Sequence, residues 1–286
     1  MHRSAGVRDW DAAYYNTGVV PQAPEIFKVW YQKADAFRVE LAAQGRARLD
    51  IPYNAKQQLD ADGQTRCAYD LFLPAIAQPK GLVTFVHGGY WMAFDRKGSS
   101  HLAAGALAHG YAVAMPGYQL CPQVSITTIT HQVRQSICHA ASTIAGPIFL
   151  TGHSAGGHLV AQLLCKDHAL PQSLASRLCH VLGISGVYDL RPLTRTKMNE
   201  TLRLTFEDTQ TQSPLLQEPL EHSNFTAWVG AEELPEFLRQ SRALYQVWGG
   251  SELDVSFYAA PDKHHFNVVD DLSDPDSKQI AQLLQL

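Results

Sequence analysis

Pro147-Ile-Phe-Leu-Thr-Gly152-His153-Ser154-Ala155-Gly156-Gly157-His158-Leu159 runs from a short apolar stretch through Gly-x-Ser-x-Gly into the start of an amphipathic segment. Glycines on either side of a serine let the backbone turn sharply, lifting Ser154 Oγ above the edge of a sheet while the helix start behind it aims amides at developing negative charge. A bare five-residue match is also what a chance Gly-Ser turn looks like, so the strand before it and the helix after it carry the reading.

Working outward, short apolar runs at 82–86, 111–115, 148–150, 180–184, 225–229 and 255–259 alternate with segments of helical period at 99–108, 126–144, 155–166, 235–247 and 277–284. In the second helical segment Ile126, Ile129, Val133, Ile137, Ala140 and Ile144 share one face. Strands apolar on both faces and joined by crossover helices make a parallel sheet covered on both sides, an α/β architecture. Upstream, Ile26, Val29, Trp30, Ala34, Phe37 and Leu41 recur at helical spacing across 24–44, with Gly45 as a stop. Strand-like segments at 48–53 and 66–73, separated by a turn at Asp62-Gly63, predict an antiparallel hairpin at a sheet edge. Residues 191–223 are polar, with a weak helical patch at 198–206. They read as an insertion between two strands: a cap or lid above the ligand-binding end of the sheet, or else a plain surface loop. No linker divides the chain, so 1–286 is expected to form one domain.

Composition removes several classes. At 45% hydrophobic and 17% charged residues the chain is neither disordered nor fibrous. Lys and Arg total 23 against 27 Asp and Glu, a formal charge of −4 with no basic run, which argues against nucleic-acid binding. The N-terminus carries Arg3, Arg8, Asp9 and Asp11 and no leader-like apolar stretch, and the weakly polar segment 102–115 is too short to span a bilayer. A cytoplasmic protein without a membrane span, acting on a small molecule, is expected. Five scattered cysteines form no CxxC pair and predict buried, reduced thiols, with neither disulfides nor a metal site. Oligomeric state is unreadable, a homodimer being compatible.

A second stretch, Leu82-Val-Thr-Phe-Val86-His87-Gly88-Gly89-Tyr90-Trp91, leads a buried-type strand into His-Gly-Gly. The amides of Gly88 and Gly89, with that of Ala155, would form an oxyanion hole, in which one donor is worth about 3 to 4 kcal/mol of barrier. A serine hydroxyl needs a base and the base an orienting acid, in the chain order Ser, acid, His. His264 and His265 follow the last strand, and neighbours on an extended loop point differently, so one of the two is expected to reach Ser154. His153 and His158 flank the serine too closely to fold back and take structural or surface roles. Glu232 and Glu233 lie in the loop after the strand at 225–229, just before Pro235 opens a helix. Either can orient an imidazole; Asp254 and Asp262 are weaker candidates, and Glu236 falls within the helix, where it is solvated or complements the helix dipole.

The combination of HGGYW, GHSAGGHL, Ser185-Gly-Val-Tyr-Asp-Leu190 and Pro235-Glu-Phe-Leu-Arg-Gln-Ser241 resembles the kynurenine formamidases (arylformamidases) and their HGGxW esterase relatives of the α/β-hydrolase superfamily. The resemblance implies an α/β-hydrolase fold and hydrolysis of N-formyl-L-kynurenine to kynurenine and formate without metal or organic cofactor. It implies Ser154 as nucleophile, Glu233 as acid, His265 as base, and Gly88, Gly89 and Ala155 around the oxyanion. The family's acid is normally aspartate, so Glu233 departs from the pattern by one methylene. Small-acyl carboxylesterase activity is the alternative, since fold and triad serve both. Formyl being the smallest acyl group, a tight acyl side is expected, with Tyr90 and Trp91 as its walls or as core packing. Arg191, Arg195 and Arg203 in the insertion are candidates to meet the substrate's amino-acid group.

Overall fold

The structure, a computed structural model, describes residues 9–54, 66–221, 223–251 and 253–286. Its frame is one eight-stranded sheet in the order β1-β2-β4-β3-β5-β6-β7-β8. The strands are β1 (Ala47–Pro52), β2 (Ala68–Phe72), β3 (Leu82–Val86), β4 (Ala112–Pro116), β5 (Ile148–His153), β6 (Leu178–Ile184), β7 (Asn224–Gly230) and β8 (Asp254–Ala260). β1 and β2 pair antiparallel at one edge, β2 runs antiparallel to β4, and every pairing from β4 to β8 is parallel. The edge hairpin is therefore present, while its Asp62-Gly63 turn lies outside the described residues.

The helices are α1 (Trp10–Tyr14), α2 (Asn16–Val19), α3 (Ala23–Ala43), α4 (Ala104–Ala108), α5 (Ile126–Thr143), α6 (Ala155–Gln162), α7 (Gln172–Ala175), α8 (Asn199–Leu202), α9 (Phe206–Thr211), α10 (Pro235–Trp248) and α11 (Lys278–Leu284). Helix α5 starts where Ser125 Oγ accepts the Thr128 amide, a side-chain cap for one of the first turn's unpaired donors. Its apolar stripe, Ile126, Ile129, Val133 and Ile137, packs with Leu159 of α6 and Trp248 of α10 on one face of the sheet. Leu41 of α3, Leu107 of α4 and Ile280 and Leu283 of α11 cover the other. With both faces covered, every residue of β2, β3, β4 and β5 is buried, which is why β3 and β4 read as apolar runs.

Charge is also buried here. Asp70 of β2, fully enclosed, pairs with Arg38 of α3 and with Arg96 of the loop after β3, so an ionic bridge ties the N-terminal helix to the sheet and to the loop beside the site. Segment 191–223 folds as the 3-10 turn Arg191–Arg195, α8, α9 and the 3-10 turn Pro214–Leu216. The segment at 99–108 divides into a 3-10 stretch, Lys97–Ala103, and α4. Cys67, Cys121 and Cys165 are buried, but Cys138 is half-buried and Cys179 exposed, contrary to the expectation that all five are enclosed. No helix among the described residues is long and apolar enough to cross a membrane.

Candidate active site

The parallel strands end at nearly the same level: Val86 pairs with Gly152, His153 with Ile184, Ile184 with Trp228, and Gly230 with Ala260. Whatever follows those ends is gathered along one edge of the sheet, where ligands bind in open α/β folds. Gly88 and Gly89 follow β3, Ser154 follows β5, Ser185 follows β6, Glu233 follows β7 and His265 follows β8.

Ser154 sits between β5 and α6 with φ 56° and ψ −117°, in the left-handed half of conformational space that serine rarely occupies. Its amide donates to Ile184 O at 2.8 Å and its carbonyl receives the His158 amide at 3.1 Å. The tight turn needs bare neighbours. A Cβ on Gly152 would lie 2.4 Å from Gly156 O, and one on Gly156 would lie 2.0 Å from Val86 O. At Gly88 an added Cβ would approach Ser154 Cβ to 3.0 Å, so the glycine loop passes directly beside the serine. The amides of Gly88 and Gly89 donate to no protein acceptor among the described residues. Ala155 is the first residue of α6, where amides lack an intrahelical partner.

His265 Nδ1–H donates to Glu233 Oε2 at 2.6 Å, and both side chains are buried. The other carboxylate oxygen, Oε1, accepts Ser185 Oγ–H at 2.5 Å and the Gly230 amide at 2.8 Å. Phe237 of α10 lies over the imidazole, ring centroids 4.5 Å apart. His153 donates Nε2–H to His265 O at 2.8 Å, and burial, with the neighbouring His265 imidazole, holds His153 well below the usual imidazole range. His87 stacks on Tyr118 at 4.2 Å and donates Nδ1–H to Gly88 O at 2.8 Å. Burial brings its pKa down to about 4, so it is neutral near pH 7.

Ser154 and His265 open on one cavity of about 600 Å³. Aromatic side chains of α3, Phe27, Trp30 and Tyr31, make much of its wall, with Phe94 and Phe266 packed edge-on against Phe27 at 5.0 and 4.9 Å. Residues 9, 11, 12 and 14–17 also line it, as a strap tied down on two sides. Tyr90 Oη–H donates to Tyr14 O at 2.7 Å and accepts Asn16 Nδ2–H at 3.1 Å. Tyr14 Oη–H donates to Glu236 Oε1 at 3.0 Å and accepts from Gln240 at 2.8 Å.

Several expectations are corrected. Trp91 is fully buried with its indole edge-on to His158 at 5.0 Å; it belongs to the core and does not line the cavity, whereas Tyr90 does. Glu236 is buried and bonded to Tyr14, Arg239 and Gln240, not solvated. None of the insertion's arginines faces the cavity: Arg191 pairs with Asp189, Arg195 lies 5.8 Å over the Trp10 ring, and Arg203 caps α8. Among the described residues of that segment, only Lys197 and Met198 reach the wall. Glu232 is exposed, as are Asp254 and Asp262, and His264 Nδ1 accepts the amides of Phe266 and Asn267. The sequence reading missed Ser185 and the strap, although Ser185 stands at a strand's C-terminal end, the position that marks each of the other site residues.

A buried carboxylate and imidazole pair at the carboxyl edge of this sheet, its histidine on the same cavity as a serine on a strained turn, fits a hydrolase of the α/β-hydrolase class acting on an amide or ester bond. Comparison with known proteins narrows the class. The BD-FAE family model matches residues 69–231. Kynurenine formamidases of Danio rerio and Salmo salar are 30% and 31% identical over 247 residues, 83% of this chain and 81% of each relative. A crystal structure of a putative thioesterase from Silicibacter sp. TM1040 superposes with a TM-score of 0.88 at 43% identity, covering 96% of this chain and 99% of that one. The chain belongs to the kynurenine formamidase family of α/β-hydrolases.

Proposed function

We propose that the protein hydrolyses the formyl amide of N-formyl-L-kynurenine, releasing L-kynurenine and formate, with Ser154 as nucleophile, His265 as general base and Glu233 as its orienting acid. The observation that carries this reading is the 2.6 Å Glu233–His265 pair, whose histidine opens on the same cavity as Ser154 in a chain of this family. With Nδ1–H committed to Glu233, the other ring nitrogen, Nε2, takes the Ser154 proton as Oγ attacks the formyl carbon. The amides of Gly88, Gly89 and Ala155 receive the oxyanion, since their N–H groups have no protein partner among the described residues. His265 then protonates the departing arylamine nitrogen, and a water activated by the same imidazole cleaves the formyl-enzyme to formate.

A cavity of about 600 Å³ is far larger than a formyl group needs. It accommodates the leaving group, whose aromatic ring packs against Phe27 and Trp30. The segment 191–223 acts as a partial cap through Lys197 and Met198, and the strap at residues 9–17 supplies the rest of the roof. The 43% identity to a putative thioesterase favours a second reading, hydrolysis of small acyl esters or thioesters on the same machinery. Steady-state kinetics on N-formylkynurenine and on p-nitrophenyl acetate separate the two. The formamidase reading requires the larger kcat/KM on the formamide; negligible formamide turnover beside efficient ester cleavage would refute it.

A further inference from the structure

Glu233 carries one methylene more than the aspartate of the resembling family, and so one more torsion to be fixed before its carboxylate can hold an imidazole. The structure fixes it from behind. Oε1 takes the Ser185 hydroxyl at 2.5 Å and the Gly230 amide at 2.8 Å, which leaves Oε2 turned to His265. Ser185 is wholly enclosed and has φ 51°, a left-handed conformation that disfavours a side chain. Glycine would suit that backbone better, yet a serine stands there with its hydroxyl on the carboxylate. Its amide donates to Trp228 O at 2.7 Å, and the preceding carbonyl, Ile184 O, receives the Ser154 amide. One short turn therefore touches the strand leading to the acid, the acid itself and the backbone of the nucleophile.

From these contacts we infer that Ser185 is a positioning residue for the reaction, acting through Glu233: its hydroxyl locks the carboxylate rotamer and thereby the aim and tautomer of His265. The inference rests on the assignment of Glu233 and His265 as acid and base. Two donors on one oxygen hold a charged group through short, charge-assisted bonds, and removing one lets the carboxylate swing about its extra torsion. Loss of aim acts on the chemical step more than on substrate binding, so it lowers kcat and leaves KM nearly unchanged.

The test is a double-mutant cycle in the full-length enzyme using Ser185→Gly, Ser185→Ala and Glu233→Gln. Both Ser185 variants are expected to lower kcat roughly ten- to a hundredfold, the range found for groups that orient a site's ligands from behind, with KM within about threefold. In the Glu233→Gln background the same changes should lower kcat less than about threefold, because the carboxylate whose hold on His265 they would loosen is already absent. Ser185→Gly suits the positive φ and keeps the experiment decisive should Ser185→Ala fold poorly. A Ser185→Gly enzyme with full kcat would reduce the serine to a backbone role, and an undiminished effect in the Glu233→Gln background would show that it does not work through the acid; either result overturns the inference alone. A Glu233→Gln enzyme of full activity overturns the acid assignment, and the inference with it.

Discussion

Glu233 Oε2 and His265 Nδ1 are 2.6 Å apart with both side chains enclosed, although 32 residues separate them in the chain. Helix α10 and β8 supply that separation, and β8, parallel to β7, brings the histidine back beside the loop in which the acid sits. The exposed neighbour Glu232 points away from the pair's enclosure.

Exchanging the two glutamates for glutamine separates their roles. Glu233→Gln keeps the shape but removes the charge that stabilises the imidazolium, and kcat should fall on the order of 10³ to 10⁴. Glu232→Gln should stay within about twofold of the parent. Steady-state kinetics on the preferred substrate checks both.

The strap over the cavity hangs on the Tyr90 hydroxyl, which bridges Tyr14 O and Asn16 Nδ2. Tyr90→Phe removes that bridge without emptying the wall. A hydrogen bond of about 1 kcal/mol corresponds to roughly a fivefold effect, expected as a rise in KM for the aryl formamide with kcat nearly retained. An unchanged KM would separate the strap from substrate binding.

Acid should destabilise the fold through its enclosed histidines. Burial lowers His87, His101, His158 and His180 from 6.5 to about 4. Each is neutral when folded but free to take a proton when unfolded, so stability is fully present above about pH 6.5 and is lost as pH falls toward 4. Each such group contributes a slope of up to about 1.4 kcal/mol per pH unit. Thermal melts between pH 7 and pH 4.5 should show the decline, and His180→Leu, at a site where neither ring nitrogen has a partner among the described residues, should flatten it.

Asp70 answers two arginines from within the core. Asp70→Asn leaves Arg38 enclosed without a counter-charge, while Arg96 keeps Asp50, and breaking a buried pair costs about 3 to 5 kcal/mol. Urea unfolding should show a loss of that size with the slope of the transition unchanged.

Much of this was legible in the residues because burial on both faces writes a strand as an apolar run. The run at 82–86 coincides with β3. β5 continues past its run at 148–150 to His153, since Thr151, Gly152 and His153 pair with β6 through backbone groups that hydrophobicity does not report. The strap was not legible: α1 and α2 have five and four residues, too few for any period to show. Trp91 could not be told from a cavity wall because Tyr90 and Trp91 both have positive φ, at 50° and 57°, and side chains in such a turn follow no alternation. Ser185 is a single hydroxyl whose importance depends on where Glu233 lands, which only tertiary contact decides.

The account depends above all on the reactivity of Ser154, and covalent trapping addresses it most directly. Treatment with an aryl phosphonofluoridate followed by peptide mapping should place one adduct per chain on the peptide containing Ser154, with activity lost in proportion. Stoichiometric adduct on any other residue, or full activity with Ser154 modified, would contradict it.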